Sequence, residues 1–543
     1  MELELLLVAV IIIVCVVFRR VSGKLGFPML LAFMLLGMVF GSDGLFKIEF
    51  SDYKTAEQVG SFALIFIIFY GGFGTKWSEA RPVAAKAVLL STLGVLLTSA
   101  VTGLFCVFVL GFDVIDGFLI GSMIGSTDAA SVFSILRSKK LSLKHNTASL
   151  LELESGSNDP ASYMLTVIML ALKGSGVSAG EVVYMVFAQI VYAVAIAAAL
   201  SFATLWLLRK SKISSAGFDS VFILGVAMLS YALPAIIGGN GYLSAYIVGI
   251  VLGNSKSISN KKALVNFFDG ITGLMQICLF FLLGLLSFPS IIPQVFLQAL
   301  LVFLCLTLIS RPAAVFAIMT PFRSSVRQQL LVSWTGLRGA ASIVFAVMAI
   351  SRLTSDGMDA SAGQQLFHIV FVVVLLSILF QGSLIPLVSR KLDMIDKEGN
   401  VMKTFTDYAD EVPVQFIRCN ITKGHPWQNR TLSDLKRDLP PDILLVLIIR
   451  GENKIVPRGQ TMLEEGDVAV VSARSMGGVE GINLTEKYIE KNDEWVNKSI
   501  ADINKDDKNR LFILIKRGEK VVIPKGGTIV MAGDVLVISN ADE

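Results

Sequence analysis

The sequence predicts a polytopic α-helical membrane protein of about 13 transmembrane helices, followed by soluble α+β domains. Three observations carry this. Composition is the first: 54% of the 543 residues are hydrophobic, only 17% are charged, and the mean hydropathy is +0.69, values that place a chain among membrane proteins. The second is the uneven charge. Residues 1–390 hold 25 Lys+Arg and 18 Asp+Glu, and residues 391–543 hold 22 and 25, so charge density rises from about 11% to about 31% at that boundary. The third is a run of thirteen apolar segments confined to the first part.

Those segments fall at about 3–18, 26–41, 59–74, 84–110, 115–136, 147–172, 181–208, 219–237, 241–254, 263–287, 290–319, 328–351 and 365–389. Several approach the ~20 residues a spanning helix needs, whereas the ninth is short and Gly-rich and must be tilted little or extended by polar flanks. The first begins with Glu2 and Glu4 and is followed by Arg19 and Arg20. That polarity is wrong for a cleaved signal peptide, so the segment reads as a retained helix. Lys and Arg gather in alternate loops, after the first, third, fifth, seventh, ninth, eleventh and last segments. Because basic loops stay in the cytoplasm, the N-terminus is expected outside and the tail in the cytoplasm, the protein being a multi-pass protein of the cell membrane. The expected division is a membrane domain over 1–392, a linker over 393–411, and two tail domains over 412–478 and 479–543.

Three polar stretches interrupt the apolar runs. Glu154-Ser155-Gly156-Ser157-Asn158-Asp159-Pro160 puts two carboxylates and an Asn in the sixth segment. An ionisable group at the bilayer centre costs roughly 3 kcal/mol on insertion scales, so it reads as an ion or proton site. On a helix Ser155 and Asp159 share a face, with Glu154 and Asn158 on the adjacent one. Gly125-Ser126-Thr127-Asp128 has the composition of a helix that unwinds and lends carbonyls to a cation, although Gly121 and Gly125 also fit a small-residue packing surface. Gly336-Leu337-Arg338-Gly339-Ala340 places an Arg within the twelfth segment, where an intramembrane acid must pair it. Glu154 is the expected partner, which leaves Asp159 free to titrate. Arg311, nearer the end of its segment, is expected to snorkel. The five cysteines and three histidines show no metal or disulfide spacing. Scattered basic residues and a slightly acidic tail leave no nucleic-acid footprint.

Thr127-Asp128, Glu154 through Asp159, Gly336 through Ala340, the opening Gly26-Phe27-Pro28-Met29-Leu30-Leu31, and Tyr242 through Gly249 followed by Gly253-Asn254 together resemble the NhaP-type monovalent cation/proton antiporters. The resemblance covers nearly all of residues 1–390. It implies a homodimer, inverted repeats of six helices, and a core with two crossed, partly unwound helices. It further implies that Asp159 carries cation or proton, that Asn158 and Ser155 shape the site, and that Asp128 with the carbonyl of Thr127 lines it. Glu154 with Arg338 would hold the core helices together. Ala129 departs from the Pro that many members have there, which puts the unwound geometry in question.

One carboxylate that binds either a proton or an alkali cation makes the two compete for a single charge. With Asn158 in place of a second acid, one proton should exchange for one cation, and an empty Asp159 should not cross the low dielectric. The tail carries an internal repeat. Arg450-Gly451-Glu452, Val456-Pro457-Arg458-Gly459, Thr461 and Gly466-Asp467-Val468 recur 67 residues later as Arg517-Gly518-Glu519, Ile523-Pro524-Lys525-Gly526, Thr528 and Gly533-Asp534-Val535. Runs such as 443–449 and 512–515 read as buried strands. Both copies resemble the C-terminal ligand-binding subdomain of the regulators of potassium conductance, or serve assembly alone. That tail favours K⁺ over Na⁺ as the cation. By the same resemblance a regulatory nucleotide such as cyclic di-AMP is a possible ligand, and no other cofactor is expected. A gated channel with the same tail is the competing class; it is disfavoured because no Thr-Val-Gly-Tyr-Gly-like filter is present.

Overall fold

The computed structural model describes residues 2, 9–17, 29–139, 141, 143–174, 176–210, 218–255, 258, 261–355 and 360–396 of the first part. In the tail it describes 414–421, 425, 427–435, 443–450, 453–455, 457–474, 484–489, 493–503, 510–517, 520–522, 524 and 526–540. The basic loop with Arg19, Arg20 and Lys24, the Gly26-Phe27-Pro28 opening and the linker from 397 to 411 lie outside these residues. Contacts divide the chain into two units, Met1–Ala409 and Asp410–Glu543.

The first unit is helical. Its helices are α1 (9–17), α2 (Met29–Phe40), α3 (Tyr53–Gly74), α4 (Arg81–Phe108), α5 (Val114–Met123), α6 (Ala129–Ser138), α7 (Thr147–Gly174) and α8 (Ala179–Lys210). They continue as α9 (Phe218–Ile236), α10 (Gly241–Gly253), α11 (Lys261–Leu285), α12 (Ile292–Met319), α13 (Val326–Trp334), α14 (Ala340–Ser355) and α15 (Ala362–Lys391). Among the described residues, seven of these, α3, α4, α8, α9, α11, α12 and α15, are long and apolar enough to cross a membrane. Local chemistry sets the ends. Asp52, Asn240 and Ser325 cap α3, α10 and α13 by accepting the backbone N–H groups of Thr55, Leu243 and Gln328. Close backbone approach needs glycine between α3 and α10, where a Cβ at Gly249 would lie 2.3 Å from the Phe69 carbonyl oxygen and one at Gly253 would lie 2.1 Å from that of Phe73.

Two apolar segments do not form continuous helices. Residues 125–128 are non-helical between α5 and α6, and residues 336–339 between α13 and α14. The two interruptions meet, because the Asp128 N–H donates to the Leu337 carbonyl at 2.8 Å. The 125–128 break forms although Ala129 stands at its end. Pro160 lies inside α7 without ending it. Its carbonyl accepts from the Asn240 side-chain amide at 2.8 Å, which ties α7 to the start of α10.

The second unit holds two copies of one motif. Strands β1 (Val414–Asn420), β2 (Ile443–Arg450), β3 (Asn453–Ile455) and β4 (Val468–Arg474) form an antiparallel sheet in the order β1-β4-β2-β3. Strands β5 (Leu484–Tyr488), β6 (Arg510–Arg517), β7 (Lys520–Val522) and β8 (Asp534–Asn540) repeat it as β5-β8-β6-β7. A one-turn helix accompanies each, Leu432–Leu435 and Ile500–Ile503. The repeat extends to detail: Gly466 and Gly533 both sit at φ +89°, a conformation that favours glycine. The Arg450 guanidinium grips Asp467 through Nε and Nη2 at 2.8 and 2.9 Å, and Arg517 grips Asp534 at 2.8 and 2.7 Å. Hydrogen bonds from Arg450 and the Glu464 N–H hold the Asp467 carboxyl below the usual carboxylate range. At Asp534 burial pushes upward, but Arg517 and the Met531 N–H outweigh it and the net shift is again downward.

Candidate ion-binding site

Helix α7 presents Ser155 and Asp159 on one face, as their four-residue spacing requires, and this face meets the 125–128 interruption. The Ser155 hydroxyl donates to the Thr127 carbonyl at 2.7 Å, and the Asn158 amide donates to the Thr127 hydroxyl at 2.5 Å. A backbone carbonyl freed by unwinding is thus held in place from the neighbouring helix. Asp159, half-buried, shares the cavity lining with Ser126 and lies within electrostatic reach of Asp128. Asp128 in turn accepts from the Ser131 hydroxyl at 2.6 Å and N–H at 3.3 Å. The other interruption closes over it: a Cβ at Gly339 would lie 2.5 Å from the Asp128 Cβ, so only glycine permits this crossing.

Ser126, Thr127, Asp128, Ser155 and Asp159 line one cavity of about 220 Å³, and among the described residues its lining includes no Lys, Arg or His. Carboxylate, hydroxyl and carbonyl oxygens are the ligands a hard monovalent cation takes, and a carboxylate also takes a proton. The sequence-predicted residues Asp159, Ser155, Asp128 and Thr127 are therefore brought together at this cavity. Asn158 instead lies behind it, fully buried on Thr127. A further lining residue, Glu152, was not singled out from sequence. Its signal was available, since Glu152 stands seven residues before Asp159 and seven residues complete two helical turns.

The expected pairing of Glu154 with Arg338 is corrected. Glu154 forms its ion pair with Arg311, through Oε1 and Nη2, and the side chains are 1% and 3% exposed. Arg311 does not snorkel. Continuous α12 carries it well inside the unit, where its guanidinium lies against Gly336, whose Cβ would sit 2.8 Å from Nε. Arg338, 1% exposed, donates from Nη1 to the Ser126 carbonyl at 2.7 Å, while its own N–H is fixed by the Ser377 hydroxyl at 3.0 Å. Each Arg thus answers a different need, one a buried charge and the other a carbonyl orphaned by the broken helix.

Comparison with known proteins follows the same division. The sodium/hydrogen exchanger transmembrane family matches residues 7–391, and the TrkA-C domain matches twice, over 417–476 and 484–540. The K(+)/H(+) antiporter NhaP2 of Shewanella sp. strain MR-4 is 34% identical over 476 residues, covering 85% of this chain and 80% of that protein. The K(+)/H(+) antiporter NhaP of Alkalimonas amylolytica is 35% identical over 405 residues, covering 74% and 69%. The solved structure of the sodium proton antiporter MjNhaP1 from Methanocaldococcus jannaschii superposes with a TM-score of 0.64 at 24% identity, over 72% of this chain and 99% of that one. The chain belongs to the sodium/hydrogen exchanger family: it is a multi-pass cation/proton antiporter, not an enzyme, with two C-terminal TrkA-C domains.

Proposed function

We propose that the protein exchanges K⁺ for H⁺ across the cell membrane at Asp159, one cation for one proton. The observation that carries this is the acid-lined cavity between the two interrupted helices, where Asp159, Asp128, Ser155 and the residue Thr127 converge with no cationic side chain in the lining. Asp159 is the exchanging group, Ser155, Asp128 and the Thr127 carbonyl complete the cation shell, and Asn158 keeps Thr127 oriented. Because the partner of Asp159 in sequence is an amide, a single negative charge is shared between cation and proton, and each full cycle moves no net charge. K⁺ is preferred to Na⁺ on the names of the relatives from Shewanella and Alkalimonas. The relative from M. jannaschii, named a Na(+)/H(+) antiporter, is 26% identical and supplies the alternative. Proton movement in vesicles challenged in turn with K⁺, Na⁺, Li⁺ and Rb⁺ tests both points. Exchange with K⁺ and no response to membrane potential is expected, and exchange with Na⁺ alone would reverse the choice of cation.

The same reading makes the membrane part thirteen crossings in inverted repeats, with the broken pairs α5/α6 and α13/α14 as crossed, unwound helices. Supporting this, α4 and α12 each carry one π turn, Leu90–Gly94 and Leu306–Ser310, ahead of their respective interruptions. An odd number of crossings puts the two ends on opposite faces, with the tail in the cytoplasm. The protein acts as a homodimer. Its tail copies regulate rate by binding a small ligand, an adenine nucleotide such as cyclic di-AMP. Flux through the full chain, with and without the nucleotide and beside a chain truncated near residue 400, tests the regulatory role; unchanged rates in all arms would make the tail an assembly element.

A further inference from the structure

Along α7 the lining of the cavity around Asp159 ends at Asp159 itself. Its lining takes Glu152, Ser155, Gly156 and Asp159 from α7 and nothing after Asp159, Leu64 through Gly74 from α3 and nothing before Leu64, and only Ala340 and Ala341 from α14. Helix α3 contributes its C-terminal half, whereas α7 and α14 contribute their N-terminal parts. These limits fall at one level, which is the far end of the cavity, on the side toward which α7 runs.

One helical turn beyond that level stands a layer of rings. Tyr163, four residues after Asp159, packs edge-on against Tyr242 with ring centroids 5.0 Å apart. Phe345, four residues after Ala341, lies 5.9 Å from Tyr163 and 6.3 Å from Tyr242. Tyr231 completes the layer at 4.8 Å from Tyr242. Tyr242 and Phe345 are 1% exposed. Beyond the layer come half-buried Glu57 and exposed Arg352, within electrostatic reach of Tyr163 and Tyr231. The aromatic layer therefore stands between the level of Asp159 and these polar groups.

The layer is divided between two sets of helices. Tyr163 and Phe345 sit on α7 and α14, which carry site residues; Tyr242 and Tyr231 sit on α10 and α9, which carry none. We propose that Tyr163 and Phe345, closing on Tyr242 and Tyr231, are the gate on the far side of the ion site. This rests on the antiport reading, since exchange requires the site to face each side in turn. The rings meet by edge-on and tilted packing, so they part at the cost of contact area, together with the hydrogen bonds that join α10 to α7, from the Asn240 amide to the Pro160 carbonyl and from the Tyr246 hydroxyl to the Leu153 carbonyl.

The test is a thiol bridge across the seam. Tyr163→Cys with Tyr242→Cys, reconstituted in vesicles and treated with mercuric ion, should bridge and lose exchange by at least about tenfold, with recovery on dithiothreitol, while each single variant treated alike keeps its rate. Exchange that continues at the untreated rate in the bridged double variant overturns the gate, as does failure of the two thiols to bridge. Wild type that exchanges nothing would instead overturn the antiport reading. Should the double variant fail to fold, Tyr242→Leu keeps an apolar side chain and removes the ring on which Tyr163 and Phe345 close. It should lower the apparent cation KM measured from the far side by about three- to tenfold and raise it from the near side, as a shift of population between two states requires. Unchanged KM values on both sides would contradict the gate.

Discussion

Glu154 and Asp159 stand five residues apart on α7 and face two different regions of the molecule. Glu154 turns toward α12 into a dry interior and is neutralised by Arg311. Asp159 turns toward the cavity, where its neighbours are a hydroxyl and another acid. A buried charge with a fixed counter-charge is scaffolding: the pair cannot exchange its partner without leaving an uncompensated ion in low dielectric. A charge facing a cavity without a resident cation among the described residues is available to whichever cation arrives. The tail offers a third setting, in which Arg450 and Arg517 grip buried carboxylates while their own side chains remain about a third exposed, 35% and 32%.

The sharpest way to break this comparison is to neutralise each acid in place. Asp159→Asn should reduce exchange to the background of empty vesicles while the melting temperature of the purified protein stays close to wild type, because an amide preserves size but neither holds nor releases the proton. Glu154→Gln should do the reverse in kind, with stability lost first. Leaving Arg311 buried and unmatched should cost about 3–5 kcal/mol, and Glu154→Gln combined with Arg311→Met should recover part of it. A cycle built instead on Arg338→Met should show little coupling to Glu154. Coupling through Arg338 and none through Arg311 would restore the pairing expected from sequence.

That misassigned pair shows where sequence reading stops. Several apolar spans, the break at 125–128 and the residues Asp128, Ser155 and Asp159 were legible because each depends on local spacing: apolar length, a Gly among hydroxyls, or a shared helical face; the break at 336–339 was not, since those residues read as an Arg inside one segment over 328–351. Which Arg meets Glu154 depends on how α12 and α13 lie against α7, a tertiary fact that no periodicity encodes. Arg311 read as a snorkelling residue because it stands only eight residues from the end of its segment, whereas the packing of α12 against α7 buries it on Glu154. The ring layer escaped notice for the same reason, since Tyr163, Tyr231, Tyr242 and Phe345 come from four helices and each alone looks like ordinary core. The tail was more legible, for its 67-residue repeat aligns Arg450 with Arg517 and Asp467 with Asp534, and the structure gives both pairs the same grip.

Smaller effects belong to those tail pairs. Asp467→Asn or Asp534→Asn should destabilise its own repeat by about 1.5–3 kcal/mol, less than the membrane pair, because each removes charge-assisted hydrogen bonds at a site water reaches from one side. Differential scanning calorimetry should place the loss in the tail transition. The pH dependence has a definite sign. Both carboxyls are held below their ordinary value in the folded state, so their contribution is fully present above the unfolded value of about 3.9 and fades as pH falls through the lower folded values. Tail stability should therefore be flat near neutrality and fall below about pH 4, and the double variant should lose that acid dependence.

The central claim is that Asp159 is the one group for which cation and proton compete. It is tested most directly by adding K⁺ to purified protein in weakly buffered solution and counting the protons released. The account predicts that K⁺ displaces one proton per chain at a pH where Asp159 is protonated, that Asp159→Asn releases none, and that Asp128→Asn still releases some. Equal release from wild type and Asp159→Asn would contradict it and move the exchanging charge elsewhere in the cavity.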